Sequence, residues 1–161
     1  MKGNRIRVSL TDQTLELIEQ GQVLRHYSIS TAKNGAGEIN GSGQTPRGLH
    51  IIRAKIGDGQ LENAVFVGRR PTGEIYSSTL AEAFPERDWI LSRILWLSGK
   101  EVGINRLGSQ DSMRRYIYIH GTPDSEPMGV PMSHGCIRMR NKDVIELFDL
   151  VPVGISVEIL E

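Results

Sequence analysis

Ile6, Val8 and Leu10 alternate with Arg7 and Ser9, the period of a strand with one buried face. Leu15 and Leu17 flank Glu16 in the same way, and the EQGQ segment from Glu19 to Gln22 turns the chain. Val23–Ser30, VLRHYSIS, then reads as a third strand with Tyr27 and Ile29 on one face. The three together predict a meander. Leu49–Gly57, LHIIRAKIG, returns to strand, and Ala64–Gly68, AVFVG, is a short apolar run that Pro71–Gly73 ends. Asp88–Gly99, DWILSRILWLSG, fits two periods. A helix puts Trp89, Ile90, Arg93, Ile94 and Leu97 on one face, and a strand puts Ile90, Ser92, Ile94 and Trp96 there. Its β-branched and aromatic content and the closing Gly99 favour the strand. Tyr116–His120, YIYIH, is a further strand that His120 ends.

One helix is clear. Asn141 can cap it, Asp143 sits in its first turn, Val144, Leu147 and Phe148 form its apolar stripe, and Pro152 and Gly154 stop it. Ile155–Leu160, ISVEIL, closes the chain as a strand. The pattern predicts a mainly β fold, a β-sandwich or partly open barrel with a C-terminal helix, in a single domain over residues 1–161. Between the strands, Lys33–Gly48 carries Gly35, Gly37, Gly41 and Gly43 ahead of Pro46 and Gly48. It is a loop, and a long one for a compact domain, which marks it as a plain mobile surface loop or a functional one.

Charge narrows the partners. Nineteen basic residues balance nineteen acidic ones, which argues against a nucleic acid or an anionic membrane held by bulk charge. No run approaches membrane-spanning length. Lys2 and Arg5 precede no apolar run of signal-peptide type, so the expected location is the cytoplasm, or the periplasm if the N-terminus is trimmed. The expected state is a monomer.

The chain has one cysteine, Cys136, in Pro131–Asn141, PMSHGCIRMRN. A single thiol forms no internal disulfide. His120 lies sixteen positions upstream, and the segment between holds Gly121, Pro123, Pro127, Gly129 and Pro131. That composition excludes a regular helix or central strand, so a loop can fold back and bring thiol and imidazole together. An imidazole can take the thiol's proton and return it to a leaving amine. Gly135 lets the backbone approach a carbonyl closely. The N–H groups of Gly135 and Cys136 are then oxyanion donors, each worth about 3 kcal/mol in such enzymes. His120, from a separate element, is the favoured base. His134, two residues from the thiol, shapes the turn or the oxyanion site.

Blander readings compete. A lone cysteine is usually a buried small hydrophobe. His120, His134 and Cys136 are also zinc-ligand types, whereas His26 and His50 fall in strands as satisfied or solvent-facing histidines. Arg114, Arg115 and Arg140 read as solvated charges, while Arg138, two past the thiol, either forks onto a substrate carboxylate or forms a structural ion pair. Trp89 and Trp96 read as core.

IHGT, followed by SHGCIRM, resembles the signature of the L,D-transpeptidase catalytic domain (YkuD) family, and Thr45–Gly48, TPRG, is similar to that family's TP-x-G segment. The resemblance runs from about Ile6 to Ile159. It implies a β-rich domain whose cysteine attacks the bond between the third residue of a peptidoglycan stem peptide, usually meso-diaminopimelate, and the following D-Ala. D-Ala leaves and a thioester forms. An amine acceptor then gives a crosslink, and water gives L,D-carboxypeptidase activity. Carried over, Cys136 is the nucleophile and His120 the proton acceptor and donor. The Gly121 carbonyl is that histidine's third partner, and His134 and Gly135 belong to the oxyanion region. Beside this carry-over, the positions of Ser133 and Arg138 next to the thiol make them the candidate substrate-binding residues. No metal or organic cofactor is implied. The expected activity is a cytoplasmic L,D-carboxypeptidase trimming stem tetrapeptides in muropeptide recycling. The alternatives are an exported crosslinking transpeptidase, a peptidoglycan-binding module with an inactive site, and a zinc protein.

Overall fold

Alternation in the N-terminal third becomes burial. In β1 (Arg5–Ser9), β2 (Thr14–Glu19) and β3 (Gln22–Ser30), Ile6, Val8, Leu15, Leu17, Tyr27 and Ile29 point into the core while Arg7, Glu16 and Ser28 between them stay partly exposed. The computed structural model describes residues 4–161. Among these follow β4 (Gly48–Ile56), β5 (Ala64–Val67), β6 (Arg70–Ile75), α1 (Ser78–Ala83), β7 (Ile90–Gly99), β8 (Tyr118–Thr122), β9 (Ile137–Arg140), α2 (Asn141–Leu150) and β10 (Ser156–Leu160).

The strands pair in the order β4-β10-β1-β2-β3-β9-β8-β7-β5-β6, and β4 also pairs with β7. Eight strands therefore form a closed, barrel-like circuit, which leaves few free edges. The β5–β6 hairpin extends from β7 beyond it. Most pairs are antiparallel, but β1–β10 and β8–β9 are parallel. α2 lays Val144, Leu147 and Phe148 against the core, each contributing about 1.5–3 kcal/mol by burial.

The fold class, the N-terminal meander and the strand reading of β7 agree with the sequence, and four other details differ. β7 is a strand, with Leu95 and Leu97 in the main core and Ile94 in a second cluster on the other face. Burial on both faces is why its sequence fitted two periods. Pro71–Gly73 does not end the β5 region but lies inside β6, an edge strand where a missing N–H is tolerated. The turn is Gly68–Arg69, with φ of 56° and 65°, the two-residue type I′ form that matches strand twist. Tyr116 has φ 57°, so β8 starts at Tyr118, and His120 sits in its middle rather than at its end. Asn141 does not cap α2. Arg140 holds the cap position, and Asn141 turns its amide inward to Thr122 O (2.9 Å), Asn63 Oδ1 (2.9 Å) and the Ser92 hydroxyl (2.6 Å). The short α1, capped by the Ser77 hydroxyl, has no buried residue and left no apolar stripe to read.

Candidate active site

Parallel pairing builds the site. β8 and β9 run side by side with Ile119 opposite Ile137 and His120 opposite Arg138. Side chains alternate along a strand, so Ile119, Ile137 and Met139 enter the core. Tyr118, His120, Cys136 and Arg138 come out together on the opposite face, where all four line one cavity of about 360 Å³. Phe66, Arg69, Asp88, Ile90, Ile94 and Tyr116 complete most of its wall. A fold-back loop between His120 and Cys136 was expected, and the strand register is what brings the two residues to one face and one cavity.

His120 is 1 % exposed. Its Nδ1 donates to Gly121 O at 2.7 Å, which puts the ring proton on Nδ1 and leaves Nε2 as the basic nitrogen. Burial lowers the imidazole pKa below its ordinary value, against the opposing pull of the Gly121 carbonyl and Asp88, because a cation is poorly solvated there. The ring is a neutral base near pH 7. Gly121 itself has no room for a side chain: a Cβ there would lie 2.5 Å from both Leu91 O and Asn141 Oδ1.

Cys136 is half-buried against the cavity. Its thiol donates to Tyr116 O at 3.3 Å and accepts from Tyr118 N–H at 3.4 Å. Burial pushes its pKa up to about 12. Among the described residues its hydrogen bonds go to backbone and not to His120. At rest, thiol and imidazole are therefore both neutral, and the thiolate forms only as a proton leaves.

The turn before Cys136 is clamped from two sides. The Ser133 hydroxyl donates to Cys136 O at 2.6 Å and accepts from Gly135 N–H at 3.3 Å. Gly135 N–H thus rests on a side chain, and Ser133, expected toward the substrate, is buried and ties the turn although it also lines the cavity. From below, the Thr45 hydroxyl donates to Gly135 O at 2.9 Å and accepts from Ala32 N–H at 3.0 Å. That is the physical use of Thr45 in TPRG. Gly135 has φ 133°, so the chain conformation requires glycine here. Arg115, read from sequence as a solvated charge, is instead half-buried. It donates to Gly37 O at 3.2 Å and to Gln44 O, fixing the glycine-rich loop beneath the cysteine turn.

His134 points outward with 79 % of its side chain exposed, Nδ1 lying 3.9 Å from Asp88. It stands at the cavity rim and makes no bond to the turn it was expected to shape. Arg138 is nearly buried and pairs with Asp88 at 3.2 Å. Asp88 escaped the sequence reading because it precedes an apolar strand by two residues and belongs to no motif. Trp89 and Trp96 are only partly buried. Trp96 packs against Tyr116 and Tyr118 beside the cavity, and Trp89 against Tyr76. No three His, Cys, Asp or Glu side chains among the described residues gather as a metal site requires. None of the described helices is long and apolar enough to cross a membrane.

Comparison with known proteins is consistent with this geometry. The profile of the L,D-transpeptidase catalytic domain, YkuD, matches residues 3–159. An L,D-transpeptidase-family protein, YkuD of Bacillus licheniformis, is 30% identical over 156 residues, which cover 96% of this chain and 64% of that one. The chain thus spans a little under two thirds of that relative. The L,D-transpeptidase of Xylanimonas cellulosilytica superposes with a TM-score of 0.57 at 21% identity, over 98% of this chain and 60% of that one. L,D-transpeptidase 3 of Mycobacterium tuberculosis, in complex with a faropenem-derived adduct, gives 0.61 at 16% identity, over 99% and 60%. At such identities the structures speak to the fold, and the profile and the Bacillus relative to the family. The chain belongs to the L,D-transpeptidase catalytic domain (YkuD) family.

Proposed function

We propose that the protein is a cysteine acyl-transfer enzyme acting on the L,D bond before the terminal D-Ala of peptidoglycan stem tetrapeptides, with water as its acceptor. The observation that carries the reading is the shared face of β8 and β9. It puts an imidazole of fixed tautomer and a thiol in one cavity. His120 Nε2 takes the Sγ proton as sulfur attacks the carbonyl carbon. The oxyanion forms beside the Cys136 N–H; Gly135 N–H, expected from the sequence as a second donor, is held by the Ser133 hydroxyl. The tetrahedral species collapses, the C–N bond breaks, and His120 returns the proton to the departing D-Ala amine. Water then enters, His120 takes its proton, and hydroxide attack on the thioester releases the tripeptide acid and restores the thiol. The cavity lies at the lower end of ligand-site volumes, which suits the reacting end of one peptide and a small acceptor.

The test is to incubate the protein with disaccharide-tetrapeptide and follow product mass. Loss of one D-Ala to give tripeptide supports hydrolysis. A crosslinked dimer with one D-Ala lost supports transpeptidation and overturns the choice of acceptor. Unchanged substrate overturns the reading.

A further inference from the structure

Arg69 occupies the second turn position of the β5–β6 hairpin and lines the same cavity as Cys136. Its guanidinium carbon lies 4.9 Å from the Trp96 ring centroid and 4.8 Å from that of Tyr116. One N–H, from Nη1, is donated to the Tyr118 hydroxyl at 3.0 Å. These contacts hold the group in place, and four of its five N–H donors are left for other partners. Charge distinguishes it from the other cation in the wall. Arg138 is paired with Asp88, whereas no carboxylate among the described residues pairs with Arg69, whose side-chain partner is the neutral Tyr118 hydroxyl. An ordered, unpaired guanidinium at a partly desolvated wall attracts an anion, and its planar fork fits a carboxylate.

Tyr118 supplies the distance. Its backbone N–H touches Cys136 Sγ and its hydroxyl touches Arg69, so one tyrosine spans the gap between nucleophile and guanidinium. A carboxylate one residue beyond the scissile carbonyl falls in that range.

We propose that Arg69 is a specificity residue that binds the free α-carboxylate of the leaving terminal amino acid, which makes the enzyme selective for stems ending one residue past the cleaved bond. This rests on the acyl-transfer reading above. Turnover is compared for a tetrapeptide with a free terminal D-Ala acid and for the same peptide as its terminal amide, in the wild type, Arg69→Gln and Arg69→Lys. Wild type is expected to favour the acid in kcat/KM by about tenfold or more, the value of one charge-assisted contact. Arg69→Gln should bring the acid-to-amide ratio close to one, and Arg69→Lys should keep part of it. A ratio unchanged in Arg69→Gln, or a wild type that does not discriminate, overturns the role of Arg69 and leaves acyl transfer standing. Failure of the wild type to cleave either peptide overturns both. The ratio is read within each variant, so partial loss of folded protein does not mimic the effect.

Discussion

Two buried histidines in this molecule start from the same arrangement and end differently. His50 in β4 and His120 in β8 are both shut away from solvent, and each ring bonds a backbone carbonyl through Nδ1, Gly48 O at 3.1 Å and Gly121 O at 2.7 Å. The second nitrogen separates them. His50 Nε2 is closed by the Ser112 hydroxyl at 2.8 Å, which ties β4 to the segment before β8. His120 Nε2 has no such partner among the described residues, and its ring lines the cavity that holds Cys136. Burial lowers both pKa values, that of His50 to about 4. The same desolvation that makes His50 a neutral strut makes His120 a base ready to take a proton.

The contrast is broken most severely at the open site. Cys136→Ala should lower D-Ala release by about a thousandfold or more, and His120→Gln by about 10²–10⁴-fold. Both should leave the thermal midpoint close to wild type, as read by kinetics beside a melting curve. At the closed site the signs reverse. His50→Ala empties a packed polar pocket and orphans Ser112, for a loss of about 3 kcal/mol in denaturant unfolding, while kcat per folded molecule stays at the wild-type value.

Acid sharpens the same distinction. His50 is neutral when folded, so the unfolded chain binds the proton first. Its contribution is complete above pH 6.5 and is lost as pH falls toward about 4. At about 1.4 kcal/mol per pH unit that amounts to about 3 kcal/mol, and His120 adds to the loss in the same direction. His50→Gln should flatten the curve over that window. In the activity profile, the acidic limb of kcat/KM should lie below pH 6.5, because His120 resists protonation.

Thr45→Val removes one hydroxyl from two buried backbone partners, Ala32 N–H and Gly135 O. The expected loss is about 2 kcal/mol, with a fall in kcat as the cysteine turn loosens. The smallest effect belongs to Asp88→Asn. Asp88 is about half exposed and raises the His120 pKa from a distance. Its neutralisation should move the acidic limb to lower pH by a fraction of a unit.

Legibility in the sequence followed the same division. The meander of β1 to β3 could be read because one face is buried and the other wet, so each core residue announces itself by alternation. β7, buried on both faces, could not be told from a helix by period alone. Cys136 and His120 stood out because a lone thiol beside Ser-His-Gly and a His-Gly pair upstream are rare combinations. Their alignment depends on the parallel register of β8 and β9, a long-range fact with no local signature. Asp88, Arg69 and Arg115 act through neighbours distant in the chain, and an isolated charge in sequence carries no hint of that. The one trace was the glycine at position 68, whose turn with Arg69 brings a guanidinium over the cavity.

The central claim is that an acyl group is carried on Cys136 sulfur. Intact-protein mass after exposure to a carbapenem, for wild type and Cys136→Ala in parallel, tests it directly. One covalent adduct on the wild type, mapped to the peptide containing Cys136 and missing from the variant, is the predicted result. A wild type that stays unmodified, or an adduct that persists in Cys136→Ala, would contradict it.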